Sequence, residues 1–341
     1  MRTAIDALLL LLSDTEERIV RMMGDGRLAD GAQPLLSFLG DFRRKRLNPL
    51  HFRQKHADLT RYVVGLVGLT NVGKSTLVEA LLGHPVAPSL NGPATSIPVE
   101  YEYGSHWTMR VHRPADSNVE TTPFPSPDRL AKALRTQVLC LPPERARRIS
   151  RALVAGPMDL LKEGLVLADT PGFGAAQPDG SSPPAGPHEY ALANSHEVLF
   201  CLSGANLTVK PEEVKAFEAL RDKCSTVVIT KWDSEPGADD ADAREYEARY
   251  GHLFPRCRLT FVEARQGSGV PDLLELIGRR ANPDARRQLL LQEVARAWND
   301  LNELAGETLR SAGLRDMPWR RDVLERFLVV AGRAGMPLER V

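Results

Sequence analysis

The sequence predicts an α/β protein. A mostly parallel sheet flanked by helices is expected over residues 61–280, and segments 1–60 and 281–341 are expected to pack together as a helical bundle. Three observations carry this. Five short apolar runs, "YVVGLVG", "GLVLAD", "EVLFCLSG", "STVVIT" and "LTFVEA", alternate with helical patterns such as "PEEVKAFEALRDKC". Near-continuous Val/Ile/Leu runs fit strands buried on both faces. The octapeptide "GLTNVGKS", Gly68–Ser75, follows the first run and opens the helix "STLVEALLG", and strand–loop–helix is the context a phosphate-binding loop requires.

In residues 1–60, Ile5, Leu8, Leu12, Ile19 and Met22 recur on one helical face. Ser13 with Glu16 has the form of a capping box, so this stretch is one helix or two. "GDGRLADGAQP" breaks the pattern, Pro34 opens a second helix, and Pro49 precedes a third. In residues 281–341, Asn282-Pro283 is a helix start. Leu290, Val294, Ala297, Leu301 and Leu304 follow a heptad-like seam, and Trp319–Val330 reads as a further helix. Each terminal arm has one apolar stripe, and burying the stripes against each other gives the bundle. Separate packing of each arm on the central helices is the alternative.

The 341 residues carry 44 Lys+Arg against 44 Asp+Glu. The chain as a whole therefore has no electrostatic pull toward nucleic acid or an anionic surface, and nucleic acid is not an expected partner. Cys140, Cys201, Cys224 and Cys257 have no metal-ligand spacing and read as reduced thiols. The start "MRTAIDALLLLLSD" is interrupted by Asp6, and its apolar run is too short for a secretory leader. No stretch reaches the ~20 apolar residues of a membrane span. A cytoplasmic protein, at most peripheral to a membrane, is expected.

In Gly68–Ser75, Gly68 and Gly73 let the backbone wrap a β-phosphate, with Thr70, Asn71, Val72 and Thr76 contributing backbone around it. Lys74 reaches the β- and γ-phosphates, and the Ser75 hydroxyl binds Mg²⁺. The loop alone does not separate ATP from GTP. "VVITKWD" ends an apolar run with Thr230-Lys231-Trp232-Asp233, the [NT]-K-x-D pattern. The Asp233 carboxylate accepts two hydrogen bonds from the guanine N1–H and exocyclic amine, a pair adenine lacks, and the Lys231 stem covers the base.

"GLVLADTPGFG" places Asp169 at a strand end, to hold Mg²⁺ through water, and the Gly172 N–H within reach of a γ-phosphate. This D-x-x-G loop is expected to order with GTP and relax after hydrolysis. Between the first helix and this strand, "NGPATSIPVEYEYG" offers Thr95 for Mg²⁺ and the γ-phosphate, with Ser96 in reserve and Pro93 and Pro98 limiting the loop. "FVEARQGSG" supplies the last base-side loop, with Ala264 and Arg265 toward the purine. The motifs together predict that the central fold is a P-loop GTPase domain.

These motifs, in this order, look like a translation-factor-type GTPase domain. More narrowly, the chain resembles the dynamin-like GTPases over roughly residues 50–300. The residues that carry the resemblance are "NGPATSIP" as first switch, the run "LVAGPMDLLKEGLVLADTPGF", and the long interval between Thr95 and Asp169. The resemblance implies hydrolysis of GTP to GDP and phosphate, a nucleotide-dependent homodimer, and neck helices on either side of the domain. It also implies work at a membrane, but residues 281–341 are too short for the long stalk of membrane-remodelling relatives, a departure that argues against membrane fission by this chain alone and leaves a stalk to a partner protein. Two further departures stand out. Glu263 replaces the serine usual in GTPases. Phe173 occupies the position where Ras-like enzymes carry a water-positioning glutamine.

Asn71 resembles the asparagine of GTPases that hold a potassium ion beside the β–γ bridge, where the cation takes the place of an arginine finger. K⁺-dependent hydrolysis, completed by dimerisation, is the expectation; a capping role for Asn71 within its own loop is the alternative. Two other functions remain open. One is a Ras- or Era-like switch on a ribosome or RNA, with "DFRRKRLNPLHFRQKH" as its contact. The other is a nucleotide-gated binding module in which Phe173 marks lost hydrolysis. "AAQPDGSSPPAGPHE" reads as a loop after the second switch, and the basic segment as a solvated or salt-bridged helix face. Gly332–Gly335, G-x-x-G, lacks the strands of an RNA-binding KH fold. His84 and His106 have no ligand spacing.

Overall fold

The computed structural model describes residues 4–24, 33–56, 59–87, 97–113, 121–146, 148–173, 187–206, 208–232 and 240–311. They fall into two units, Leu59–Pro283 and the combination of Met1–Asp58 with Asp284–Val341.

The chain begins with α1 (Ala4–Gly24), an unbroken helix. Ser13 is not a cap there: its hydroxyl donates to the Leu9 carbonyl one turn back at 3.0 Å, the bond of a serine in a helix interior. Next, α2 (Gln33–Phe42) runs through a π-helical turn, Arg43–Leu47, into α3 (Asn48–His56). The expected break before a third helix is thus a widened turn. Pro49 has no N–H for the α-helical ladder, and the Asn48 N–H instead reaches back to the Arg43 carbonyl, the five-residue step of a π turn. The basic segment is partly neutralised in place. Arg43 pairs with Glu16 at 2.5 Å, Arg44 with Asp41, and Arg53 with Glu293.

The central unit runs β1 (Tyr62–Gly68), α4 (Lys74–Leu82), β2 (Val99–Tyr103), β3 (Thr108–His112), β4 (Thr121–Pro123), α5 (Pro127–Leu134), α6 (Pro143–Ala146), β5 (Arg151–Gly156), β6 (Leu165–Asp169), α7 (Pro187–Asn194), β7 (Glu197–Ser203), α8 (Pro211–Leu220), β8 (Cys224–Thr230), α9 (Asp240–Tyr250), β9 (Arg258–Val262) and α10 (Val270–Ala281). The strands form one sheet in the order β4-β3-β5-β2-β6-β1-β7-β8-β9. Strands β6, β1, β7, β8 and β9 are mutually parallel and are the five apolar runs of the sequence. Every residue of β1 and β8 is buried, and each Val, Leu or Ile so placed stabilises the fold by about 1.5–3 kcal/mol.

The other four strands make a wing. Strand β2 is antiparallel to β6, β5 is parallel to β2, and β3 is antiparallel to both β5 and β4. In the parallel half, register sets Leu66 beside Asp169, Gly68 beside Cys201, Ser203 beside Thr230 and Thr230 beside Val262. The carboxyl ends of these strands, and the loops leaving them, therefore share one edge, where open α/β sheets bind ligands.

Finally, α11 (Pro283–Ser311) returns to the terminal unit. Ile5, Leu12 and Ile19 of α1 share a buried cluster with Val294, Ala297 and Leu301 of α11, where helix spacing brings the two apolar stripes together. Trp319–Val330 and Gly332–Gly335 lie outside the described residues, as do the side chains of Leu8, Met22 and Leu304. Among the described residues no helix is long and apolar enough to cross a membrane.

Candidate functional site

The loop from Gly68 to Ser75 leaves β1 and turns into α4, whose first helical residues are Lys74, Ser75 and Thr76. The opening N–H groups of a helix have no partner within it and point a positive potential at whatever lies before them. Close packing dictates the glycines. A Cβ on Gly68 would stand 2.3 Å from the Cys201 carbonyl oxygen of β7, and one on Gly172 would stand 2.5 Å from the Thr70 backbone. Thus the D-x-x-G segment lies directly on the phosphate loop. Backbone bonds fasten the two, with the Phe173 N–H donating to Gly68 O at 3.2 Å and the Thr70 N–H to Phe173 O at 3.3 Å.

Lys74 is buried, and its ammonium donates to the carbonyls of Gly68 (3.2 Å) and Leu69 (2.9 Å). Burial lowers its pKa, and Asp169 pulls it the other way. The Ser75 hydroxyl donates to Asp169 Oδ2 at 2.6 Å. Burial raises the Asp169 carboxyl above its ordinary value, against the opposing effects of Lys74 and the Ser75 bond. Two hard oxygen donors converging beside a buried ammonium suit a small divalent cation and an anion together. The residues present therefore fit a Mg²⁺–phosphate pair.

The T-K-x-D strand end meets the same loop. The Thr230 hydroxyl contacts the carbonyls of Val72 and of Leu202, the latter at 2.9 Å. Lys231 Nζ donates to the Asn71 carbonyl at 2.5 Å, and its stem passes over Gly73. Asn71 and Lys231 both adopt left-handed backbone, φ 63° and 54°; for non-glycine residues this is uncommon and marks a constrained position. The Asn71 side chain is exposed and bonds to none of the described residues.

Phe173 stacks on Phe200, ring centroids 6.1 Å apart, so its ring is part of the packed core. Glu263 is buried, and its carboxylate accepts the Arg265 N–H at 3.1 Å. It ties down the loop that carries Ala264 and the exposed Arg265, beside the end of β8. Thr95, Ser96, Pro93 and Asp233 lie outside the described residues, as does most of the Pro/Gly/Ser-rich stretch.

Two residues that sequence reasoning missed support the site. Buried Thr170 donates to Leu66 O at 2.6 Å and fixes the turn after Asp169. Glu79 of α4 accepts the Ala87 N–H at 3.1 Å and so anchors the chain just before the Thr95 segment. Nothing in the sequence signals Glu79, because its partner is a backbone group with no side-chain identity.

Sheet order, phosphate loop and D-x-x-G turn define a P-loop GTPase domain. Residues 64–231 match the model of the dynamin family. The central unit is thus similar to the dynamin-like GTPases, and the match lies within it. No curated protein sequence matches the chain. Two structures of an oligomerised bacterial dynamin pair, described as sensing and tethering membranes, share 16% and 15% identity with it at a TM-score of 0.47. They cover 79% of this chain, which spans only 41% and 40% of theirs. Era from Aquifex aeolicus, bound to GDP and aluminium fluoride, shares 17% identity over 64% of this chain and 56% of its own, at a TM-score of 0.39.

Proposed function

We propose that the protein binds GTP with Mg²⁺ across Gly68–Ser75 and Asp233, hydrolyses it to GDP and phosphate, and uses the cycle to change its conformation or dimerise. The observation that carries this is the 2.6 Å contact of Ser75 with Asp169 next to the buried Lys74 ammonium, joined to the base-side strand end through the bonds of Thr230 to Val72 O and of Lys231 to Asn71 O. Lys74 has a further donor for β- and γ-phosphate oxygens. Ser75 and Thr95 would ligate Mg²⁺ and Asp169 would hold it through water; the ion supplies charge neutralisation between the β- and γ-phosphates.

The Gly172 N–H would face the γ-phosphate. Because Phe173 is bonded to Gly68 and Thr70 on both its N–H and carbonyl, a shift of this turn moves with the phosphate loop. Asp233 would read guanine, with Ala264 and Arg265 alongside. The exposed Asn71 amide, held on left-handed backbone, is available to a monovalent cation such as K⁺, the charge that would stand in for an arginine finger. A cytoplasmic protein acting at a membrane surface or with a stalk-bearing partner completes the reading. Phosphate release from GTP with Mg²⁺ tests it; release from ATP at an equal rate, or none from GTP in any monovalent salt, refutes it.

A further inference from the structure

Far from the phosphate loop in sequence, at the beginning of β8, two thiols touch. Cys224 Sγ lies 3.9 Å from Cys257 Sγ, and the Cys257 thiol also donates to the Cys224 carbonyl at 3.5 Å. Cys224 is buried and Cys257 is half-buried. We propose that Cys224 and Cys257 are a redox modification site, closed to a disulfide by a hydroperoxide and reopened by a dithiol. This is independent of the nucleotide reading.

The local backbone suits the closure. A disulfide needs the sulfurs at about 2.05 Å, so they must approach by roughly half their present separation. On one side, the β7–β8 ladder slips between Val198 and Leu199: Val198 faces Cys224, but Leu199 faces Thr226. Ser225 is thus an extra residue of a bulge, where a strand is bent and side chains are re-aimed. On the other side, Cys257 is presented by a tight turn, its N–H donating to Phe254 O at 3.1 Å, with Arg256 left-handed at φ 71°. Both backbones are irregular at the cysteines, so a shift there breaks no regular ladder.

The roles of the two sulfurs follow from exposure. Burial, then the neighbouring Cys257, raises Cys224 well above an ordinary thiol, so it stays protonated and is shielded from solvent. Cys257 meets the oxidant. Its thiol takes one oxygen from the peroxide, giving Cys257–SOH and water. Cys224 Sγ then attacks Cys257 Sγ, the S–O bond breaks, and the hydroxyl leaves as water with the Cys224 proton. Two thiols and one peroxide become one disulfide and two waters. Proximity favours this second step over further oxidation. The loop so closed contains Thr230, Lys231 and Asp233, so the cross-link ties the strand bearing the base-reading residues to its neighbour β9.

The test uses the full chain carrying Cys140→Ser, which removes the exposed thiol. The protein is treated with hydrogen peroxide near stoichiometry, alkylated, digested without reduction and mapped by mass spectrometry. The expected result is loss of two alkylatable thiols and an intramolecular Cys224–Cys257 linked peptide. Dithiothreitol should restore both thiols, and Cys257→Ser should abolish the link. The proposal is overturned if the native protein keeps both thiols, if Cys257 proceeds to sulfinic acid while Cys224 stays alkylatable, or if links form only between chains.

Discussion

The two halves of the nine-stranded sheet are built on different physics. The parallel half, β6-β1-β7-β8-β9, is held mainly by apolar burial; it buries the Glu197 carboxylate at the start of β7, met by Arg280 at 2.7 Å, and it carries Gly68, Asp169 and Thr230 at the opposite strand ends. The wing, β2-β5-β3-β4, buries charge within the strands themselves. Glu100 of β2 is 0% exposed. It accepts from Arg61 at 2.6 Å and from Tyr190, with Arg151 at 3.4 Å. Glu102 pairs with Arg110 at 2.5 Å. His112 is kept below its ordinary pKa by burial first and then by Arg151 and Arg110. The contrast teaches that buried polar groups mark a ligand site only where they converge at strand ends with partners to spare. In the wing the carboxylates are already met by arginines and hold the strands in place.

Mutations should divide along that line. Lys74→Ala should lower GTP affinity by about a thousandfold, near 4 kcal/mol, since a desolvated charge partner is lost; calorimetry reads it, and the variant should stay folded. Next, Glu100→Ala should destabilise the protein by about 2–3 kcal/mol. That is less than a fully buried pair would cost, because Arg61 and Arg151 keep access to water. Urea unfolding measures it, and GTP affinity of the folded protein should not change. If nucleotide binding fell with Glu100→Ala at unchanged stability, the division would be wrong.

Asn71→Ala should lower turnover by about tenfold in KCl, on the order of one hydrogen bond's worth, and remove any difference between KCl, NaCl and CsCl. Equal wild-type rates in the three salts would discard the cation. The smallest effect is a pH dependence. The raised Asp169 pKa means that the native ligand-free protein binds a proton that the unfolded chain has already lost. Its stability therefore rises as pH falls through the window between the ordinary aspartate value and the raised one. Mg²⁺–GTP affinity should fall over the same window, and Asp169→Asn should flatten both trends.

Sequence revealed the parallel half because strands buried on both faces must be apolar along their length, and "YVVGLVG" or "CSTVVIT" has no other comfortable fate. It singled out Gly68–Ser75, Asp169 and Thr230, which the fold brings together, because a nucleotide-binding pattern constrains residue type at fixed spacing. The wing was hidden. β3, "TMRVH", buries only Met109, and β4, "TTP", buries nothing, so their place depends on pairing partners far along the chain. The continuous α2–α3 run was missed because a proline normally signals a break and the π turn absorbed it. The reasons for Phe173 and Glu263 appeared only in three dimensions, as a core ring and a loop tie.

The central claim is that the phosphate loop and the T-K-W-D strand end serve one guanine nucleotide. Titration calorimetry of the purified chain with GTP and Mg²⁺, repeated with excess ATP present, tests it directly. A binding isotherm that ATP leaves intact, and that Lys74→Ala abolishes, is the predicted result. No heat with GTP, or displacement by ATP at equal concentration, would contradict it.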